Sequence, residues 1–128
     1  MLDHIGLVVS NFQKSRQFYL VALAPLSIGI VMEVTKEQTG TYAGAGFGAS
    51  NKPSFWIGTG DHLSGPVHIA FTASSREEVD AFFKVALSVG GRDNGAPGVR
   101  AHYHPTYYGA FVLDPDGNNV EAVCHGPA

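Results

Sequence analysis

The sequence is short of cysteine, of charge and of long apolar runs. Cys124 is the single cysteine in 128 residues, which rules out an internal disulfide and fits a reducing cytoplasm. Charged residues make up 15% of the chain and the net charge is −3, with no run of Lys or Arg. That composition gives no electrostatic footprint for nucleic acid or an anionic membrane surface. No apolar stretch reaches the ~18 residues that a membrane span needs. The opening MLDHIGLVVSN lacks the basic leader of a secretion signal and puts Asp3 ahead of a short apolar run. The length suits one domain, residues 1–128, with a real core.

Glycine and histidine are plentiful instead. Sixteen glycines imply many turns, and six histidines in so small a chain justify a search for a metal site. The most informative stretch is Tyr107 to His125, YYGAFVLDPDGNNVEAVCH. Tyr107–Leu113 has the aromatic and β-branched content of a strand. Asp114-Pro115-Asp116-Gly117 is a turn, with Pro115 presetting φ and Gly117 free to take a positive φ. Val120–Cys124 is the return strand, and Glu121 is its only acid. A carboxylate among apolar neighbours needs a cation, a donor or water.

Taken in order, Asp3–Ser10 reads as a strand with His4, Gly6 and Val8 on one face and Ile5, Leu7 and Val9 on the other. Asn11 caps a helix over Phe12–Leu23, which Pro25 stops. Strands follow at Ile28–Thr35, Tyr42–Phe47 and Phe55-Trp56-Ile57, and His62–Pro66 is a connector. The order then repeats. Val67–Ala73 is a strand, Ser75 and Glu78 form a capping box for a helix over Ser75–Val89, and Gly90-Gly91 ends it. Arg92–Pro105 holds one weak strand and a loop rich in Gly, Pro and His.

At a constant offset of 64, His4 pairs with His68, Ile5 with Ile69, Ser10 with Ser74, Phe18 with Phe82, and Val21-Ala22-Leu23 with Val85-Ala86-Leu87. An offset of 65 pairs Tyr42, Gly44 and Ala45 with Tyr107, Gly109 and Ala110, and Trp56 with Glu121. Two βαβββ modules, residues 1–60 and 66–125, are expected to share one α+β structure, because neither half can bury both faces of its own sheet. A pseudo-twofold would bring His4, His68, Glu121 and Trp56 towards one central site.

The segments DHIGLVV, SRQFY, VHIAF and FVLDPDGNNVEAV resemble the vicinal oxygen chelate superfamily, which includes glyoxalase I, extradiol dioxygenases, fosfomycin resistance proteins and bleomycin-binding proteins. The resemblance implies two βαβββ modules whose mixed sheets curl into a cup. It also implies a divalent metal ion, of Zn, Ni, Mn, Fe or Co type, held inside the cup by His4, His68 and Glu121. A fourth ligand of glyoxalase I falls near Phe55-Trp56-Ile57, and the repeat selects Trp56, whose indole N–H cannot coordinate. The tyrosine of the extradiol dioxygenases lands on Phe111. Metal-free antibiotic-binding members usually lack the His/His/Glu set that this chain keeps.

Three functions compete on this reading. The first is a metal-dependent, glyoxalase-like enzyme of the lyase or isomerase kind. In it the ion would chelate neighbouring oxygens of a small substrate while a nearby base moves a proton. Glu121, Tyr108 and His104 are the candidate acid/base groups. Trp56, Phe55, Tyr107, Arg100 and His102 are the candidate substrate contacts. The second is a binding protein whose apolar cup captures a small aromatic compound without turnover. The third is a non-haem iron dioxygenase, for which the two imidazoles and one carboxylate speak and Phe111 does not. Plainer alternatives stand beside these. Glu121 could simply hydrogen-bond a histidine, Trp56 and Cys124 could fill core, and the His102–Tyr108 region could be a solvated loop. Lys14, Arg16, Arg76, Glu77 and Asp80 read as helix surface. Gly44, Gly46 and Gly48 match no phosphate loop. A homodimer is expected, because the sheet edges need cover.

Overall fold

The computed structural model describes residues 1–63 and 65–128. Its first module runs β1 (Ile5–Val8), α1 (Phe12–Ala22), a 3₁₀ turn (Ala24–Leu26), β2 (Gly29–Val34), α2 (Lys36–Thr39), β3 (Gly44–Gly48) and β4 (Phe55–Gly58). The second runs β5 (His68–Thr72), α3 (Arg76–Ser88), β6 (Arg92–Val99), β7 (Tyr108–Leu113) and β8 (Asn119–Cys124). Each module builds one four-stranded mixed sheet, ordered β1-β4-β3-β2 and β5-β8-β7-β6. The fold is therefore α+β with two βαβββ modules. No helix is long and apolar enough to cross a membrane among the described residues.

Local chemistry fixes the elements. Asn11 accepts from the Lys14 backbone at the start of α1, and Ser75 accepts from Glu78 at the start of α3. Helix α1 ends at Ala22, and Pro25 opens the 3₁₀ turn that follows. Gly117 closes the β7–β8 turn at φ 86°, in the left-handed region that favours glycine. Two expectations shift. The strand expected over Tyr42–Phe47 begins only at Gly44, and a short capped helix, α2, stands where the sequence showed no helical period. Of the connector expected over His62–Pro66, Ser64 lies outside the described residues.

The repeat is visible in the strand register. Gly6 pairs with Trp56 across β1 and β4, and Ala70 pairs with Glu121 across β5 and β8. Gly46 pairs with Trp56 across β3 and β4, and Phe111 with Glu121 across β7 and β8. Trp56 and Glu121 are thus structural equivalents.

Strand alternation gives each sheet two faces. One faces the helices. Leu7, Val9, Phe47, Phe55 and Ile57 of the first module join Phe18, Tyr19, Val79, Phe82, Val112, Val120 and Cys124 in one core. Cys124 is accordingly a core residue. The other face carries His4, Gly6 and Trp56 in the first module and His68, Gly109, Phe111 and Glu121 in the second. Of the strand candidates, His4, Trp56, His68 and Glu121 belong to that second face, whereas Phe55 and Tyr108 turn towards the helices.

The DPDGN turn locks this arrangement. Asp114 is fully buried, accepts from the backbones of Asp116 and Asn118 and from Asn118 Nδ2, and takes the Tyr19 hydroxyl at 2.5 Å. Burial first, then the Asp114 charge, pushes the Tyr19 phenol well above its ordinary range. Asp116 reaches the Ser10 backbone N–H. The turn therefore ties helix α1 and the end of β1 to the hairpin that presents Glu121.

Candidate functional site

Glu121 lies on the inner strand β8 and is 1% exposed. Two side chains share its oxygens. His68 Nε2 stands 2.8 Å from Oε1, and the Tyr107 hydroxyl donates a short hydrogen bond to Oε2. His68 reaches it from the adjacent strand β5, with its side chain 54% exposed. Tyr107 precedes β7 and folds back over Gly109, where a Cβ would lie 3.1 Å from Glu121 Oε2 and 3.2 Å from the Tyr107 ring. Phe111, directly opposite Glu121, faces His68 with ring centroids 6.2 Å apart. Burial and then the bond to Glu121 push the Tyr107 phenol up to about 12, against an opposing pull from Arg100. The result is a buried carboxylate with a protic group on each oxygen, open to solvent on the imidazole side.

The equivalent positions of the first module make an apolar counterpart. His4, Gly6, Val34, Thr39, Tyr42 and Trp56 line an open cleft of 490 Å³. The Trp56 ring lies over Gly46, where a Cβ would come within 2.8 Å of it, and Tyr42 lies over Gly44 and Gly58. The glycines thus let two aromatic rings lie against the sheet. Tyr42 was missed as a site residue. The offset of 65 that pairs it with Tyr107, and Gly44 with Gly109, was the signal that could have found it.

His4, His68 and Glu121 are not brought together as one group of ligands. Among the described residues no cluster of three or more His, Cys, Asp or Glu side chains could hold a metal ion. His4 Nδ1 bonds Asp3 at 2.8 Å, and its side chain is 58% exposed. The fit to an ion is therefore partial. An imidazole nitrogen and a carboxylate oxygen on neighbouring strands have the separation of two ligands of a small divalent cation, which is about 3 Å. They supply two donors, not three.

Other candidates fall elsewhere. Phe55, expected to touch substrate, is 3% exposed and packs edge-on against Tyr19 and Phe71 in the core. It alternates with Trp56 along β4, so the two cannot share a face. Tyr108, expected to act beside Glu121, alternates with Tyr107 in the same way. Its hydroxyl donates to Asp80 of α3, and Arg76 covers its ring. His102 and His104 sit on the exposed turn before β7. His102 is against Tyr103, and His104 Nδ1 accepts from Thr106. Their rings approach the site through Tyr103 and His125, which both contact Tyr107, and the His104 carbonyl accepts from the Tyr107 backbone N–H at 3.0 Å. His125 was another omission, and nothing in its sequence surroundings marked it. Arg100 does lie on the site face, stacked over Phe111.

With this geometry in hand, comparison with known proteins is specific about family. The model of the Glyoxalase/Bleomycin resistance protein/Dioxygenase superfamily matches residues 1–122. A glyoxalase/bleomycin resistance protein from Albidiferax ferrireducens T118 is 27% identical, with TM-score 0.76 over 97% of this chain and 98% of that one. A glyoxalase/bleomycin resistance protein/dioxygenase family enzyme from Burkholderia phytofirmans PsJN is 16% identical, with TM-score 0.68 over 97% and 98%. Glyoxalase I from Zea mays is 16% identical, with TM-score 0.72. The match covers 99% of this chain and 45% of the maize protein. At 16% identity the last two likenesses concern the fold alone. Comparison with the curated proteins finds no match.

Proposed function

This chain belongs to the Glyoxalase/Bleomycin resistance protein/Dioxygenase superfamily, and from that premise we propose that it is a divalent-metal-dependent enzyme that moves a proton on a small substrate. The observation that carries the reading is the buried Glu121 shared between His68 and Tyr107. A carboxylate taken out of water is costly, and one imidazole and one phenol compensate it only in part. His68 Nε2 and Glu121 Oε1 would hold the ion. When bound, the ion would supply Lewis-acid polarisation of two neighbouring substrate oxygens. Glu121 Oε2 would take the proton, and the Tyr107 hydroxyl would hold that oxygen in place. Phe111 and the Tyr107 ring would keep water from the carboxylate.

A homodimer is part of the proposal. His4 and Trp56 lie on the face of one sheet, and the His68–Glu121 pair on the face of the other. Two copies with the first module of each set over the second module of the other would add His4 to the pair. Trp56 and Tyr42 would then become an aromatic wall over the substrate.

Elemental analysis of untagged protein, with Co(II) and Zn(II) titrations of wild type, His68→Ala and Glu121→Gln, tests the metal. Solvent deuterium exchange into a panel of α-hydroxyketones, followed by NMR, tests the proton transfer. Protein that binds no divalent ion, even as a dimer, would leave the second reading. That reading is a binding protein for planar aromatic compounds, which the Trp56–Tyr42 floor favours. Phe111 occupies the site face without a hydroxyl, which weighs against an extradiol dioxygenase.

A further inference from the structure

Arg100 is seated with unusual care for an arginine at the end of a strand. Its Nη1 donates to the Gly98 carbonyl at 2.8 Å and its Nη2 to the Ala96 carbonyl at 2.7 Å. Its backbone N–H donates to the Tyr107 carbonyl at 2.7 Å, which ties it to the residue that holds Glu121. The guanidinium lies 5.4 Å from the centre of the Phe111 ring. Two glycines make the seat. A Cβ at Gly98 would stand 3.0 Å from Nη1, and one at Gly95 would stand 3.3 Å from Nη2. The irregular register of β6 between Gly95 and Gly98 presents both carbonyls to the same side chain.

Among the described residues this cation has no acid of its own. Among the described residues the ion pairs of arginine and lysine are Arg16 with Glu33 and Lys52 with Asp3, and none involves Arg100. Two carbonyl bonds use two of the five guanidinium N–H groups, and the remaining donors keep their fixed fork. The same Phe111 ring that carries Arg100 also faces His68. A positive charge without a counter-charge, immobilised beside a candidate chelating pair, is what recognition of a carboxylate requires. Its ordering cost is met before the ligand arrives.

We propose that Arg100 is an anion-recognition residue of this site and that the substrate carries a carboxylate beside its chelating oxygens. The proposal deepens the function proposed above by naming a substrate class, and it rests on that reading for the substrate but not for the anion seat. The seat needs no metal, so it is tested without one. Chelator-treated, dialysed protein is titrated with malonate, and in parallel with the neutral malonamide, at constant ionic strength. Binding is followed by NMR through the Arg100 Nε–H and the backbone amides of Gly98, Tyr107 and Phe111. Malonate should shift these resonances saturably and malonamide should not. Arg100→Gln should weaken malonate at least tenfold. Arg100→Lys should retain part of the affinity, and it keeps the charge if the glutamine variant is poorly folded. Equal malonate affinity in wild type and Arg100→Gln, or wild-type shifts confined to other residues or absent, would overturn the proposal. A separate Zn(II) titration reports on the metal reading, so either can fail alone.

Discussion

Gly109 and Glu121 are matched by size: a Cβ on residue 109 would stand 3.1 Å from Glu121 Oε2, inside the space that the Tyr107 ring and hydroxyl need. Gly109→Ala should therefore displace Tyr107 and free that carboxylate oxygen. A lost partner of a ligating group costs about 10–100-fold in metal affinity. Zn(II) binding by calorimetry should weaken by about the lower figure. Gly44→Ala, at the equivalent position of the first module, should disturb Tyr42 and leave Zn(II) affinity at Glu121 unchanged. Wild-type affinity in Gly109→Ala would mean that Tyr107 does not govern the carboxylate.

The Tyr107 phenol is pushed up to about 12, chiefly by burial and then by its bond to Glu121. Its folded value lies above the ordinary 10, so the protonated phenol is favoured by the fold. Stability from this bond is fully present below pH 10 and is lost as pH rises through about 12. Absorbance at 295 nm should show a tyrosinate component with a midpoint near 12 that Tyr107→Phe lacks. A variant that loses its component near pH 10 instead would show that the bond does not form in solution.

Removing either member of the central pair should abolish tight metal binding. Glu121→Gln and His68→Ala should each weaken Zn(II) by about 100-fold or more, since one donor of the pair remains in each chain. His4→Ala should weaken it only at concentrations where light scattering gives twice the chain mass. An identical loss in the monomer would show that His4 reaches the pair within one chain.

Neighbouring residues on β4 should respond in opposite ways. Phe55→Ala removes a core ring and should cost about 3–5 kcal/mol. Trp56→Ala strips a partly exposed ring from an open face and should cost about 1–2 kcal/mol, while altering affinity for aromatic compounds. Trp56→Glu should add a carboxylate donor and tighten metal binding in the dimer. Urea melts beside Zn(II) titrations separate these outcomes, and equal destabilisation by the two alanine variants would place Trp56 in the core.

Asp114→Ala leaves the Tyr19 hydroxyl and the turn's N–H groups without their buried acceptor. The expected loss is about 2–4 kcal/mol. Tyr19→Phe should lose less, because the turn keeps its other bonds. A melting temperature unchanged in Asp114→Ala would contradict the role given to this turn.

Local pattern alone carried much of this. Alternation placed His4 with Gly6 and Val8, and away from Ile5, Leu7 and Val9. Turn chemistry placed Gly117 at a positive φ. Repeated spacing pairs Trp56 with Glu121, and the strand register agrees. These features depend on residues near one another in the chain, or on a period that the chain repeats. What alternation had available but could not weight was the choice between Tyr107 and Tyr108, or between Phe55 and Trp56, since each pair is aromatic throughout. Only tertiary structure decided those, by giving one member a helix to pack on and the other a glycine to lie across. It also decided the fate of the histidines. The repeat marks His4 and His68 as equivalent, but equivalence is not proximity: each sits on its own sheet, and among the described residues only His68 meets the carboxylate. The seat of Arg100 was equally hidden, because it depends on a β6 irregularity that turns two carbonyls towards one guanidinium. No periodicity records where such a bulge falls.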